Sequence, residues 1–158
     1  MDRKIAIKKL ASRVNLILPH VASEDITEDA LVMPFLQILG FDADKVRADT
    51  MISLYSLKKN KRPSYAVFKG GKLNMLVECA HHEEKLEDHQ MMLKHYWQKA
   101  RAKYAMLTNG IEYRVYSSAM MRLNDFSKPM IGFSINKTHA GTINRMLNEH
   151  KELLSQIS

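Results

Sequence analysis

The side chain with the clearest chemical potential in this sequence is Glu78, which follows the apolar run Met75-Leu76-Val77. A carboxylate at the end of a buried strand is costly to desolvate unless it has a partner or a chemical task. Strand alternation places Glu78 and Ala80 on one face of that strand and Cys79 on the other. Glu78 is therefore a candidate catalytic or metal-binding carboxylate, and the competing interpretation is a charge paired within the fold.

Four residues with metal-ligating side chains follow this strand, in the order His81-His82-Glu83-Glu84. Neighbouring side chains point apart on a strand or a helix, so the run favours solvent-exposed side chains over a single metal site. Cys79 is the only cysteine, which excludes an internal disulfide and a zinc site built from several cysteines. A single thiol fits a reducing, cytoplasmic location.

The apolar spacing and the turn residues predict the elements that position Glu78. Apolar residues recur every three or four positions near the N-terminus, which predicts a helix that ends near Pro19. Lys69-Gly70-Gly71-Lys72 and Asn109-Gly110 are hairpin signals between apolar stretches. The predicted strands cover residues 64–68, 73–79, 104–108, 111–116 and 129–135, and further helices cover 27–39, 86–100 and 143–157. This order is typical of an α/β or α+β sandwich around a mixed sheet.

The register of the first hairpin decides which residue lies beside Glu78. A two-residue loop without irregularity places Ser64 opposite Val77. A three-residue loop or a bulge places Ser64 on the face of Glu78 instead. The sequence leaves both registers open.

The length and composition predict one globular domain over residues 1–158. Apolar residues make up 46% of the chain and charged residues 26%, which is a globular composition. No apolar run approaches the roughly 20 residues that a membrane span needs, so no membrane partner is expected. The basic N-terminus has no continuous apolar core, which argues against a secretory signal.

The charge distribution suggests a polyanionic partner. The net charge is +7, and the basic residues are clustered, with acidic stretches between the clusters. A binding face for phosphates competes here with ordinary solvated helix faces. The candidate nucleic-acid-binding residues are Lys58, Lys59, Lys61, Arg62, Lys94, Lys99 and Arg101.

Several stretches of the sequence, taken in their order and spacing, carry a resemblance to a known family. These stretches are Thr27-Glu28-x-Ala30-Leu31-Val32-x-Pro34-Phe35-Leu36, Leu39-Gly40-Phe41, Ser64-Tyr65-Ala66, Leu76-Val77-Glu78-Cys79-Ala80, Gln90, Tyr96, and Lys103-Tyr104-Ala105-Met106-Leu107-Thr108-Asn109-Gly110 with Tyr113 and Tyr116. Over residues 24–117 the chain resembles the N-terminal nuclease domain of type I restriction enzyme R subunits and its stand-alone relatives, a branch of the PD-(D/E)XK nucleases. The resemblance implies a restriction-endonuclease-like α/β core with a central mixed sheet and an extra helix at each end, in a phage or prokaryotic protein.

The resemblance also implies a set of catalytic positions, of which only part is retained. The family hydrolyses phosphodiesters with Mg²⁺ held by two carboxylates, and a lysine two residues after the second carboxylate assists the attacking water. Glu78 matches the second carboxylate and would be the metal ligand of an active site. Ser64 stands at the first carboxylate and Ala80 at the lysine, so the motif is degenerate, whereas the helix residues Glu28 and Gln90 are retained.

Three functions remain open at this point. The preferred hypothesis is a catalytically degenerate nuclease-fold protein without a cofactor that binds nucleic acid, DNA above all, or a DNA-processing complex. The second is an active Mg²⁺-dependent nuclease in which Lys85 replaces the lost lysine and His81, Glu83 or Glu84 supplies a ligand. The third is a homodimeric structural or protein-interaction module in which the basic residues only increase solubility.

Overall fold

A computed structural model describes residues 2–20, 27–42, 46–47 and 64–154 of the chain. Within these residues, six strands form one sheet in which the spatial order follows the chain. The strands are β1 (Val46–Arg47), β2 (Tyr65–Lys69), β3 (Lys72–Cys79), β4 (Tyr104–Thr108), β5 (Glu112–Ser117) and β6 (Ile131–Ser134). Only β3 and β4 are parallel among these neighbours, so the sheet is mixed.

Helices cover both faces of this sheet. They are α1 (Arg3–Ile17), α2 (Met33–Ile38) after a π-helical turn (Glu28–Val32), α3 (Gln90–Ala100) after a 3₁₀ turn (Leu86–His89), α4 (Ser118–Arg122) and α5 (Ala140–Glu149). The apolar residues of α1, α2 and α5 form one core with one sheet face, and those of α3 and α4 form a second core with the other face. The predicted mixed sheet flanked by helices, with a helix at each end, is confirmed. No helix in the described ranges is long and apolar enough to cross a membrane.

The first hairpin has a tight turn and a bulge. Gly70 and Gly71 both have positive φ angles, 59° and 77°, which a two-residue hairpin turn requires and which glycine adopts without strain. A register shift between Val67 and Phe68 then follows in β2. Beyond the shift Tyr65 pairs with Val77, so one further step along the ladder brings Ser64 opposite Glu78. Of the two registers that the sequence left open, the bulged one is therefore adopted.

The second hairpin fixes the carboxyl end of β4 against the π-helical turn. The Asn109 side-chain oxygen accepts hydrogen bonds from the backbone N–H groups of Ile111 and Glu112, at 3.0 and 2.8 Å. Gly110 has a φ of 86°, and a Cβ atom there would lie 2.6 Å from Leu31 Cδ1. Only glycine therefore fits between this turn and the segment that carries Glu28.

Three parts of the fold depart from the sequence prediction. The last helix ends at Glu149 instead of continuing to 157, because His150 has non-helical dihedrals and a 3₁₀ turn (Lys151–Leu153) follows. The strand β1 and the helix α4 were not predicted. Both are too short to produce a recognisable periodicity.

Candidate functional site

Glu78 is held by a histidine that the sequence analysis did not single out. Glu78 is the second-to-last residue of strand β3 and is only 7% exposed. Its Oε2 atom lies 3.0 Å from Nδ1 of His89, the last residue of the 3₁₀ turn before α3. The other ring nitrogen of His89, Nε2, lies 3.1 Å from Oε2 of Glu84. One imidazole therefore bridges two carboxylates at the carboxyl end of β3.

The bridge is electrostatic as well as geometric. The hydrogen bond to Glu78 outweighs the desolvation of the ring and, with the hydrogen bond to Glu84, raises the pKa of His89 from 6.5 to about 9. Hydrogen bonds from the His81 backbone N–H and from His89 lower the pKa of Glu84. At neutral pH His89 is thus a cation that donates from both nitrogens.

The two positions that differ from the nuclease pattern are integrated into the fold. The Ser64 hydroxyl oxygen accepts a hydrogen bond of 2.9 Å from the backbone N–H of Cys79, and so ties the edge of β2 to the end of β3. Ala80 is fully buried, and its backbone N–H donates to the Thr108 carbonyl at 2.8 Å. A longer side chain at Ala80 would have to displace the core beneath α3.

The remaining predicted catalytic residues lie around this end of the sheet. Glu28 begins the π-helical turn that packs on Gly110, beyond the end of β4. Gln90 begins α3 and lines an open cleft of about 480 Å³ with Glu87, Arg114, Phe126, Ser127 and Pro129. Lys85 is exposed and precedes the 3₁₀ turn. In the described part of the chain, the ion-pair partner of Glu78 is His89 and not Lys85.

Arg114 is a second residue that sequence reasoning missed. The ladder pairs Glu78 with Leu107 and Leu107 with Arg114, so Arg114 lies on the Glu78 face two strands away. Its guanidinium group is paired at 3.0 Å with Glu87 and at 3.2 Å with Glu112. A signal was available, because Arg114 interrupts the otherwise apolar and aromatic stretch from Tyr113 to Tyr116.

The histidine pair after β3 is less exposed than predicted. The rings of His81 and His82 lie 4.2 Å apart, and the side chain of His82 is only 16% exposed. His81 Nδ1 accepts a hydrogen bond from the Glu83 backbone at 3.2 Å. The glutamates of the run are exposed, as predicted. Hydrogen bonds between the two ends of this loop turn it back on itself. The turn brings Glu84 close to His89.

A sequence model of the type I restriction enzyme R protein N terminus matches residues 23–126, which is more than half of the chain. The chain belongs to this family. A chain from the cryo-EM structure of a DrdV–DNA complex has the same fold, with a TM-score of 0.56 and 12% sequence identity over 90% of this chain and 96% of that one. No curated protein matches the sequence.

The resemblance to the type I restriction enzyme R N-terminal family implies Mg²⁺ at Glu78 in an active site, but the chain keeps neither the first carboxylate nor the lysine of that motif. Mg²⁺ has octahedral geometry, keeps several of its waters and is usually held by one or two protein carboxylates. Here one Glu78 oxygen is committed to His89, the Ser64 hydroxyl accepts from the backbone, and Ala80 offers no side-chain donor. The described residues contain no group of three or more histidine, cysteine or acidic side chains that could hold a metal.

Of the predicted nucleic-acid-binding residues of this family member, the three that the structure describes belong to α3 or follow it. Lys58, Lys59, Lys61 and Arg62 lie outside the described residues. Lys94 lies near the middle of α3, Lys99 lies in its last turn and Arg101 follows it directly. An eleven-residue helix is about 16 Å long, so α3 separates Arg101 from His89 by that distance.

Proposed function

We propose that this chain is a catalytically degenerate member of the type I restriction enzyme R N-terminal family that binds DNA without cleaving it. The observation that carries the proposal is the bridge from Glu78 through His89 to Glu84. In this arrangement an internal cation neutralises Glu78, the carboxylate that the family motif places at the end of β3. Glu78, the family's metal-binding position, would then serve to stabilise the fold.

Hydrolysis also needs groups that this site does not supply. Metal-assisted cleavage requires a second carboxylate to fix the ion and a group that activates or orients water. Ser64 and Ala80 occupy those positions and serve the backbone and the core. Lys85, the proposed replacement, faces solvent. The proposed DNA-binding activity therefore needs no Mg²⁺.

Charge and fold support DNA as the partner. The net charge is +7, and a basic surface neutralises phosphates and releases their counterions. The structurally similar chain comes from a complex with DNA. The buried thiol of Cys79 is compatible with a reducing cytoplasm, where we place this activity.

Cleavage and binding should be measured side by side. Linear, supercoiled and single-stranded DNA, and RNA, are incubated with Mg²⁺ or Mn²⁺ and the wild-type chain, Glu78→Ala or Glu149→Ala. Glu149 is exposed at the end of α5 and gives a charge-matched control. We expect no metal-dependent cleavage by any of the three proteins. Cleavage that disappears in Glu78→Ala but persists in Glu149→Ala would contradict degeneracy.

The binding half of the proposal is tested by fluorescence anisotropy with labelled DNA. We expect affinity to fall about tenfold or more between roughly 50 and 200 mM salt, because several phosphate contacts are lost together. Absent or salt-independent binding would contradict the proposed function. Sedimentation of the same samples distinguishes one chain per DNA from a homodimeric module.

A further inference from the structure

A second cleft lies at the end of the sheet opposite Glu78. It opens between the last turn of α3 and the short helix α4 and has a volume of about 430 Å³, within the range of ligand-binding sites. Its lining residues are Trp97, Gln98, Arg101, Ser118 and Arg122. Tyr104 begins β4 and pairs with Ser117 at the end of β5, so the cleft lies at the amino end of the parallel pair.

Hydrogen bonds fix the walls of this cleft before any ligand arrives. The Trp97 indole N–H donates to the Ala102 carbonyl at 2.8 Å. The Ser118 hydroxyl lies 3.2 Å from the same carbonyl and 3.0 Å from the Lys103 carbonyl. The Lys94 ammonium group donates to the Met121 carbonyl and so joins α3 to α4. Such preorganisation lowers the cost of binding.

Arg101 occupies a backbone conformation that does not suit it. Its φ of 54° and ψ of 44° are left-handed, and its N–H donates to the Trp97 carbonyl at 2.7 Å as the helix ends. Glycine is the usual residue at such a helix end. A non-glycine residue is strained there, and strain of this kind gathers at functional positions. The arginine at this position places a guanidinium group at the cleft.

The two arginines of the cleft carry charge that the described part of the protein does not neutralise. Arg101 and Arg122 are exposed, and neither guanidinium group has a hydrogen-bond or ion-pair partner among the described residues. Arg114, at the other end, is paired with Glu87 and Glu112. A planar guanidinium group binds two phosphate oxygens at once, so phosphate complements an arginine pair.

We propose that the cleft between α3 and α4 binds a phosphate group through Arg101 and Arg122, and that bound DNA supplies this phosphate. The second clause rests on the proposed function. DNA would then contact the protein at the end of the sheet opposite Glu78. At the Glu78 end, Arg114 is already paired with Glu87 and Glu112 and is less available to a phosphate.

The single tryptophan of the chain makes this cleft directly observable. Trp97 is the only tryptophan, so intrinsic fluorescence reports from the cleft. Wild-type protein is titrated with a single-stranded oligonucleotide and, separately, with inorganic pyrophosphate. We expect a saturable change in both titrations, and an affinity about tenfold or more lower in Arg101→Gln/Arg122→Gln.

A charge-matched variant controls for general electrostatics. Arg13→Gln/Arg145→Gln removes the same charge from exposed positions on α1 and α5, which cover the other face of the sheet. We expect its affinity to change about twofold or less. Arg122→Gln alone leaves the strained position untouched, and thermal unfolding checks that each variant is folded.

The failures of the two proposals are distinguishable. If wild-type protein binds DNA and both double variants weaken binding equally, the cleft proposal is overturned and the proposed function stands. If no DNA binds, the proposed function fails. In that case an arginine-dependent response of Trp97 to pyrophosphate supports the phosphate site with another source of phosphate, and no response overturns it.

Discussion

The two ends of α3 differ in whether their charged side chains are paired within the described part of the protein. At the N-terminal end, His89 lies between Glu78 and Glu84, and these three charged groups are paired with one another. At the C-terminal end, Arg101 and Arg122 face a cleft without an acidic partner among the described residues. Charges that are satisfied internally stabilise a fold, whereas unsatisfied ones are available for a ligand. Under the two proposals above, this difference means that DNA is bound at one end of α3 and that the family's catalytic position lies at the other.

The largest expected effect comes from removing the cation at the paired end. His89→Ala leaves the Glu78 carboxylate mostly buried without its partner, and we expect a loss of about 3 kcal/mol of unfolding free energy at pH 7. Urea denaturation measures it. The control is His150→Ala, which removes an exposed pair at 3.4 Å with Glu152 and should cost less than about 1 kcal/mol.

A double variant shows whether that loss belongs to the pair. Because Glu78→Ala/His89→Ala removes both charges, it should be less destabilising than His89→Ala alone. Equal losses for His89→Ala and His150→Ala would show that the bridge is only a surface contact.

The pH dependence of stability gives the next largest effect. The pKa of His89 is raised in the folded protein from 6.5 to about 9. The folded state therefore binds the proton more tightly, and the stability from this group is complete below pH 6.5 and is lost as pH rises through 9. We expect the urea midpoint to fall between these two values in wild type. The fall should be smaller in His89→Ala, and an unchanged slope would exclude a protonated bridge.

The same comparison separates what the sequence can predict from what it cannot. The hairpins at Gly70-Gly71 and Asn109-Gly110 were predicted because positive φ angles are requirements of single residues. The bridge at His89 was missed because it depends on the path of residues 80–88, which carries no periodic pattern. The sequence did predict that Glu78 needs either a chemical task or a partner, since the cost of burying a carboxylate is local.

At the C-terminal end of α3, the sequence predicted some of the basic residues but not the cleft that they line. Lys94 and Arg101 were chosen for their charge, yet Lys94 is used to hold α4 and only Arg101 faces the cleft. Arg122 was missed because the helix that carries it has five residues, too few for an amphipathic signal.

A smaller effect tests how tightly the paired end is organised. Ser64→Ala removes the acceptor of the Cys79 backbone N–H, and we expect a loss of about 1 kcal/mol. Amide hydrogen exchange should show faster exchange at Cys79, with DNA affinity unchanged. Ser12→Ala, on the exposed side of α1, should stay within about 0.5 kcal/mol of wild type. Protection of Cys79 that survives in Ser64→Ala would mean that the hydroxyl does not hold this end of β3.

The smallest expected change in stability is a gain, and it tests the C-terminal end of α3 most directly. Arg101→Gly relieves the left-handed strain, so we expect the unfolding free energy to rise by about 0.5–1 kcal/mol, while DNA affinity falls because one guanidinium group is lost. Asn124 has a nearly identical φ of 55°, and asparagine tolerates this conformation better than arginine. Asn124→Gly should therefore add less stability and leave DNA affinity unchanged. A protein that gains stability and loses DNA at Arg101 alone would show that the strain serves the ligand. If Arg101→Gly bound DNA as well as the wild-type protein does, Arg101 would have no role in DNA binding.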